Sequence, residues 1–454
     1  MSLKGNKSSV SPARRAAFNI LRRVEEERAY ASALLASLPA SDLSREDRAL
    51  THEIVLGVLR WRKALDYFIE KYARRPVRQL DLPVLLALRI GLYQLRFLTR
   101  VPHAPAVNES VNLVKKARAA SAAGMVNAVL RNAARHPDEQ PGDDIADARE
   151  RLSVAVSHPR WLLERWIAWL GEEQARELAL AQNQQPPTAF RVNTLRGRAE
   201  EILASLEKEG VAARPSEIAE GALVAEGGTA ALMRAAESGL AYIQDEASQL
   251  VALLLDPRPG EAILDLCAAP GSKSSHLAAL TRNGAWIIAC DLHPHRLATL
   301  AAACRRMGAD SVHAVALDAT GELPFAEDAQ KFDRVLIDAP CSGTGTLRRN
   351  PEIKWRLTPE DIARLADVQL RLLERGAAAL ANGGRLVYST CSLEPEENEG
   401  VVKRFLDGGA PFRVLAPDAR ADLITADGFV RTYPHRHGAD GFFAAALEKV
   451  KRDV

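Results

Sequence analysis

Between residues 262 and 390 the chain alternates short apolar runs with helical stripes, and the first four runs each stop at a glycine loop or an acid. Runs at 262–266, 285–290, 311–317 and 332–337 have the length and composition of buried strands. Helical segments follow at 272–281, 294–307 and after Thr358, whose face is Ile362, Leu365, Leu372 and Leu373. Thr358-Pro-Glu-Asp supplies a cap, a first-turn proline and first-turn acids. A strand at 384–388, a helix at 395–406 and an apolar run at 442–447 complete the pattern. Alternation at this spacing predicts a doubly wound parallel sheet. Such sheets place ligands outside the carboxyl ends of their strands.

The strand ends therefore matter most. The first leads into Leu264-Asp-Leu-Cys-Ala-Ala-Pro-Gly-Ser-Lys-Ser274. This lacks the earlier glycine of a phosphate loop and the three spaced glycines of a dinucleotide fingerprint. It leaves a tight turn that lets backbone amides approach a ligand. The second run ends in Asp291, where an acid commonly meets ribose hydroxyls. The third ends in Asp318 and the fourth in Asp338. Acids repel phosphates, so an adenosine ligand without them fits better than a nucleoside triphosphate. Any one of these acids alone would read as a turn or cap residue. Just past Asp338 come Pro340, Cys341, Gly343 and Gly345, which puts a carboxylate and a thiol three residues apart at a strand end.

The rest of the chain differs in character. Residues 1–140 hold 24 Lys+Arg against 13 Asp+Glu, and the remainder holds 36 against 45, so a net +2 conceals a basic first part. That asymmetry suggests a module for a polyanion. Ser11-Pro12 opens a helix faced by Ala17, Ile20, Leu21 and Val24. Further stripes run through Leu85, Leu88, Leu92 and Leu95, then Val107, Val111 and Val114, then Val126, Val129 and Leu130. No alternating pattern precedes residue 135, so residues 1–140 are expected to be an all-α domain with Arg14, Arg15, Arg22 and Arg23 on its polar faces. Residues 136–144 are a polar break with proline and glycine. Residues 150–235 are expected to form a small α+β domain, with Trp166 and Trp169 in a helical core, a strand at 188–194 and a helix at 200–209. The third domain spans 236–454.

Cys267-Ala-Ala-Pro-Gly-Ser-Lys273, Asp338-Ala-Pro-Cys-Ser-Gly-Thr-Gly345 and Tyr388-Ser-Thr-Cys-Ser392 together resemble the signature motifs of the S-adenosylmethionine-dependent RNA cytosine-5 methyltransferases. Residues 348–355, Glu394-Pro-Glu-Glu-Asn-Glu399 and Asp440-Gly-Phe-Phe443 fit the same pattern, and the matches run from about 188 to 450. Asn108-Glu-Ser-Val-Asn-Leu-Val114 and Val126-Asn-Ala-Val-Leu-Arg131 resemble the NusB RNA-binding fold. The combination resembles bacterial enzymes that methylate small-subunit ribosomal RNA. It implies an all-α NusB-like domain, a small α+β linker domain and an α/β Rossmann-like methyltransferase domain. It implies S-adenosyl-L-methionine held by Cys267, Ala268, Ala269, Pro270, Gly271, Ser272, Lys273, Asp291, Asp318 and Asp338. Ser272 stands where that family usually has glycine. Arg191 and Asn193 fall in an Arg-Val-Asn element similar to the family's RNA-contacting segment; a strand-end arginine in a structural ion pair reads equally well.

The chemistry follows from the residues. C5 of cytosine is a poor nucleophile, and a thiolate added at C6 makes it enamine-like. Protonation or hydrogen bonding at N3 favours that addition, and Asp338 is the acid at hand. The residues alone do not rank Cys341 against Cys391. The resemblance implies Cys391 as nucleophile and Cys341 as the thiol that assists release. Two other readings stay open: the same chemistry on transfer RNA, and a non-catalytic RNA-binding or assembly factor.

All five cysteines lie between 267 and 391 without a Cys-x-x-Cys pair, as expected for a reduced, cytoplasmic protein. His293/His295 and His435/His437 lack zinc spacing, so no metal is expected. No apolar run spans a bilayer, and the first residues lack a signal-peptide core. The expected partner is ribosomal RNA, met by a monomer away from membranes.

Overall fold

The computed structural model describes residues 10–39, 42–325 and 331–450. The chain start read for a signal peptide lies outside them. The chain divides into two compact units, one running to Gln185 with Leu347–Arg356 added, the other holding Pro186–Thr346 and the chain from Leu357 onward.

The first unit is helical. Pro12–Glu26, Arg45–Arg60 and Leu82–Phe97 pack together, with His103–Lys116 and Ala123–Arg135 closing the bundle. The stripes read from sequence form its core, including Ile20, Leu21, Leu88, Leu92, Val114, Val126 and Leu130. Leu82–Phe97 runs through the middle, and Leu86, Ala87, Leu88, Ile90 and Leu92 are all enclosed. Arg14 corrects the expectation of a polar-face arginine. It is 7% exposed and donates to Gln94 Oε1 at 2.7 Å and Glu109 Oε1 at 3.0 Å. A buried guanidinium is tolerated when its donors are matched in this way. Helices Ala148–Ala155, Arg160–Leu170 and Glu172–Gln182 also lie in this unit. Trp166 is fully enclosed, as expected.

The second unit begins with β1 (Thr188–Val192), β2 (Ala213–Pro215), β3 (Ala222–Ala225) and β4 (Ala241–Ile243), in antiparallel order β2-β3-β1-β4. Ile202, Leu206, Leu232 and Ala235 from two helices cover this sheet on Phe190. Helix Glu246–Leu255 follows. Nearly every residue of it is buried, so it has no polar face and no readable stripe.

The large sheet holds β5 (Ala262–Asp265), β6 (Trp286–Asp291), β7 (Val312–Ala316), β8 (Phe332–Asp338), β9 (Leu380–Thr390), β10 (Phe412–Val414), β11 (Val430–Thr432) and β12 (Phe442–Lys449). Its order is β10-β12-β9-β8-β5-β6-β7, with β11 on β12. The five strands from β9 to β7 are parallel; β12, the expected closing strand, joins antiparallel to β9. The chain moves outward one way through β6 and β7, then returns to the other side of β5 through β8 and β9. Loops beyond β5 and β8 therefore diverge and open a crevice there.

One expected helix is divided. Residues 395–406 form a short turn, Pro395–Glu397, and then a helix, Glu399–Asp407. Asn398 separates them. Its Nδ2 donates to Ser392 O at 2.9 Å, and its Oδ1 accepts from Thr390 Oγ1 at 2.5 Å. The side chain thus holds the end of β9 in place of an uninterrupted helix.

Candidate active site at the ends of β5, β6 and β8

Register explains why the site forms. β8 and β9 pair in parallel with Asp338 opposite Ser389, and Ala339 N donates to Ser389 O at 2.9 Å. Cys341 lies three residues past Asp338 and Cys391 two past Ser389, so both thiols emerge at one level. Gly345 N donates to Cys391 O at 2.9 Å and ties the loops together. The two sulfurs are 3.3 Å apart.

The cleft above them has a volume of about 320 Å³. Cys267, Ala269, Asp291, Asp318, Asp338, Cys341 and Cys391 all line it. Leu266, Leu292, Leu317, Val368 and Leu372 add apolar walls. Sequence reading placed Leu266 and Leu317 at strand ends and Leu372 on a helix face, but periodicity does not say which of these apolar residues borders a cleft.

The expected cofactor residues divide by position. Cys267 and Ala269 face the cleft, and Gly271 turns the chain into helix Ser272–Leu280 at φ +98°. Only a residue without a Cβ takes that angle freely. Ser272 is the first helical residue, so its replacement of glycine asks nothing unusual of the backbone. Lys273, also expected at the cofactor, reaches Asp338. Its Nζ donates to Asp338 Oδ2 at 2.7 Å and to Ser248 Oγ at 3.0 Å. Asp338 also accepts from Ser389 Oγ at 3.0 Å. The acid expected to meet the base is thus held at both oxygens.

Asp291 is buried and accepts from Ala269 N at 3.3 Å and His293 N at 3.1 Å. Arg296 lies 3.3 Å from it, a partner not foreseen from sequence. Asp318 is exposed at the cleft rim. Hydrogen bonds from Thr320 hold its carboxyl below the usual carboxylate range.

The Cys341 thiol is shifted by its surroundings. The hydrogen bond to Cys391 is the first cause holding Cys341 well above the usual thiol range, followed by burial and the nearby charge of Glu397. Cys341 therefore keeps its proton. Burial raises the Cys267 thiol well above its range too, with Asp265 and Asp338 adding to it.

Arg191 and Asn193, expected to touch RNA, are 3% and 0% exposed. Arg191 donates to Ser275 Oγ at 3.0 Å and stacks over Tyr242, while Asn193 donates to Gly239 O and Met307 O at 2.8 and 2.7 Å. Both side chains join the small sheet to the large domain, and the expected RNA contact is revised accordingly. Arg191 is a structural arginine, though its partners are neutral groups rather than the acid of an ion pair. Among the described residues no group of His, Cys, Asp and Glu could hold a metal ion, and no helix is long and apolar enough to cross a membrane.

A sheet of this order, with an acid-lined cleft at its switch point, is that of a methyltransferase. Comparison with known proteins makes this specific. Residues 252–448 match the family described as 16S rRNA methyltransferase RsmB/F, residues 11–135 the NusB family, and residues 158–231 the ferredoxin-like domain of RsmF/B-like methyltransferases. The "Probable ribosomal RNA small subunit methyltransferase B" of Bacillus subtilis is 36% identical, covering 95% of this chain and 98% of its own. The "Ribosomal RNA small subunit methyltransferase B" of Pseudomonas putida is 35% identical, covering 92% and 95%. The crystal structure of PH0851 superposes with a TM-score of 0.81 at 28% identity, covering 97% of this chain and 99% of that one. The chain belongs to the RsmB/F family of 16S rRNA methyltransferases, with a NusB domain ahead of its ferredoxin-like and catalytic parts.

Proposed function

We propose that this protein methylates C5 of a cytidine in small-subunit ribosomal RNA through a covalent bond between Cys391 and C6. The observation that carries this reading is the pair of sulfurs 3.3 Å apart beside Asp338 in one cleft. S-adenosylmethionine, when bound, supplies the electrophilic methyl group. The chain's donors suit it: Asp291 and Asp318 at strand ends offer acceptors for hydroxyls, and the apolar walls suit an uncharged base.

Cys391, as thiolate, adds to C6, and the added electron density moves through the ring toward N3. Asp338, whose oxygens accept from Lys273 and Ser389, has lone pairs left to accept the hydrogen of N3 once water has protonated that nitrogen, which stabilises the adduct. Once C5 carries the methyl group its proton passes to water in the open cleft, and the electrons of that C–H bond expel the Cys391 thiolate from C6. Cys341 retains its proton and sits against the departing sulfur, which suits it to assist release. The cytidine must be unpaired or flipped out to reach the cleft. The basic first part of the chain suits attraction to RNA. The homologues' names, which place them on small-subunit ribosomal RNA, support a cytoplasmic protein.

Trapping tests the roles. Cys341→Ala should accumulate an RNA adduct that survives denaturing gels, and Cys391→Ala should form none. The reverse pattern would overturn the assignment. Bisulfite sequencing of ribosomal and transfer RNA from a deletion strain identifies the target.

A further inference from the structure

The motif Glu394-Pro-Glu-Glu-Asn-Glu399 contributes no side chain to the cleft lining, yet Glu397 is fully buried just behind it. Its carboxylate collects four donors. Oε1 accepts from Ser342 N at 2.8 Å and Gln369 Nε2 at 2.9 Å. Oε2 accepts from Ser342 Oγ and from Ser392 Oγ, the latter at 2.5 Å. Ser342 follows Cys341 directly, and Ser392 follows Cys391 directly. The proton directions are constrained, because Ser392 Oγ already accepts from Glu394 N at 3.0 Å and so has its own hydrogen free for the carboxylate. An ionised carboxylate only accepts, and this one has donors for both oxygens. Gln369 Nε2 also donates to Pro340 O at 2.9 Å, and Tyr388 Oη donates to Glu397 O at 2.5 Å. Gln369 thus ties the carboxylate to the loop after β8, while Tyr388, on β9, holds the backbone of Glu397.

We infer that Glu397 is a positioning residue whose carboxylate locks the loop of Cys341 to the loop of Cys391 and so sets the spacing of the two sulfurs. This rests on the proposed use of both thiols, but the geometry stands apart from it. A neutral, dry packing role would be filled by an apolar side chain at lower desolvation cost. A carboxylate gives charge-assisted hydrogen bonds, which are short and directional, to the residues adjacent to both thiols. Its charge also favours the protonated form of Cys341.

The test is Glu397→Gln in the full chain, with a readout independent of methylation. Diamide takes two electrons and two protons from a pair of thiols, becoming a hydrazine and leaving a disulfide. The rate of disulfide formation between Cys341 and Cys391, read by mass spectrometry, reports how well they are aligned. Wild type should close readily. Glu397→Gln should close several-fold more slowly and methylate about 100-fold more slowly, the loss expected for misplacement by about 1 Å. Binding of S-adenosylmethionine, measured by calorimetry, should stay within about twofold, well below the tenfold that 1.4 kcal/mol represents. Ser342→Ala, which keeps the backbone donor, should show a smaller effect in the same direction, and Ser342→Thr should restore it. Wild-type disulfide and methylation rates in folded Glu397→Gln would overturn the proposal. Should that variant not fold, an unchanged disulfide rate in Ser342→Ala would overturn it. A slowed disulfide in variants of a protein that methylates no RNA would instead refute the proposed function and leave the positioning role intact.

Discussion

Asp265, at the end of β5, shows how one side chain can respond to pH. Ser274 Oγ donates to one carboxylate oxygen at 2.7 Å, and the other oxygen is buried without a partner. Burial, against the Ser274 bond and with the charge of Asp338 adding, pushes its pKa up to about 7. The folded protein then holds a proton that the unfolded chain releases near 3.8, the ordinary value for this carboxyl. Stability from this group is present at low pH and declines as pH rises from about 4 to 7, by about 4 kcal/mol at most. Asp265→Asn should remove that component. Urea denaturation at pH 5 and pH 8 should show wild type losing more stability than the variant, and equal losses would contradict it. Nothing local in Leu264-Asp-Leu distinguishes this acid from an exposed turn residue. Its burial comes from helix Ser272–Leu280 and β8, which are distant in sequence or reached only by folding.

At the scale of elements, the site depends on two loops approaching closely. A Cβ on Gly345 would lie 1.9 Å from Gly441 O and 2.8 Å from Cys391 O, both backbone atoms that cannot swing aside. Gly345→Ala should therefore separate the Cys341 turn from β9 and cost about 2–3 kcal/mol, checked by denaturation. Methylation should fall further than stability, because the displaced backbone carries Cys391. The strands and the helix after Thr358 were legible from apolar runs and capping residues. Their neighbours were not. Helix Glu246–Leu255 has no polar face, and the break at Asn398 depends on Thr390 and Ser392 across the loop. The strand order was not legible from periodicity, and a shared role for Cys341 and Cys391 was implied only by motif resemblance.

For the whole molecule, the ten residues Leu347–Arg356 are informative, since they follow the Cys341 turn in sequence yet pack in the helical unit. Lys354 is their anchor. Burial pulls its pKa well down, with Arg60 adding to the effect, yet its Nζ donates to Arg60 O, Ser157 O and Asn183 Oδ1 at 2.9, 2.7 and 2.9 Å. Three matched acceptors require the ammonium form. Lys354→Met fits the volume but leaves those acceptors unpaired, so it should destabilise the helical unit by about 3 kcal/mol. Calorimetry of the full chain should show an earlier transition, and an unchanged thermogram would argue against the anchoring role.

By itself the sequence determined the kinds of element, the helical first part, the doubly wound sheet and the strand-end groups, because periodicity, caps and turns are set by neighbouring residues. Tertiary structure alone decided which polar groups face the cleft. Lys273 went to Asp338, Arg14 went into the helical core, and Arg191 and Asn193 went between the sheets. Charge and spacing could not reveal this, since burial is conferred by residues tens to hundreds of positions away. The same holds for Glu397: its sequence reads as the acidic first turn of a helix, and only the fold surrounds its carboxylate with donors from both thiol loops.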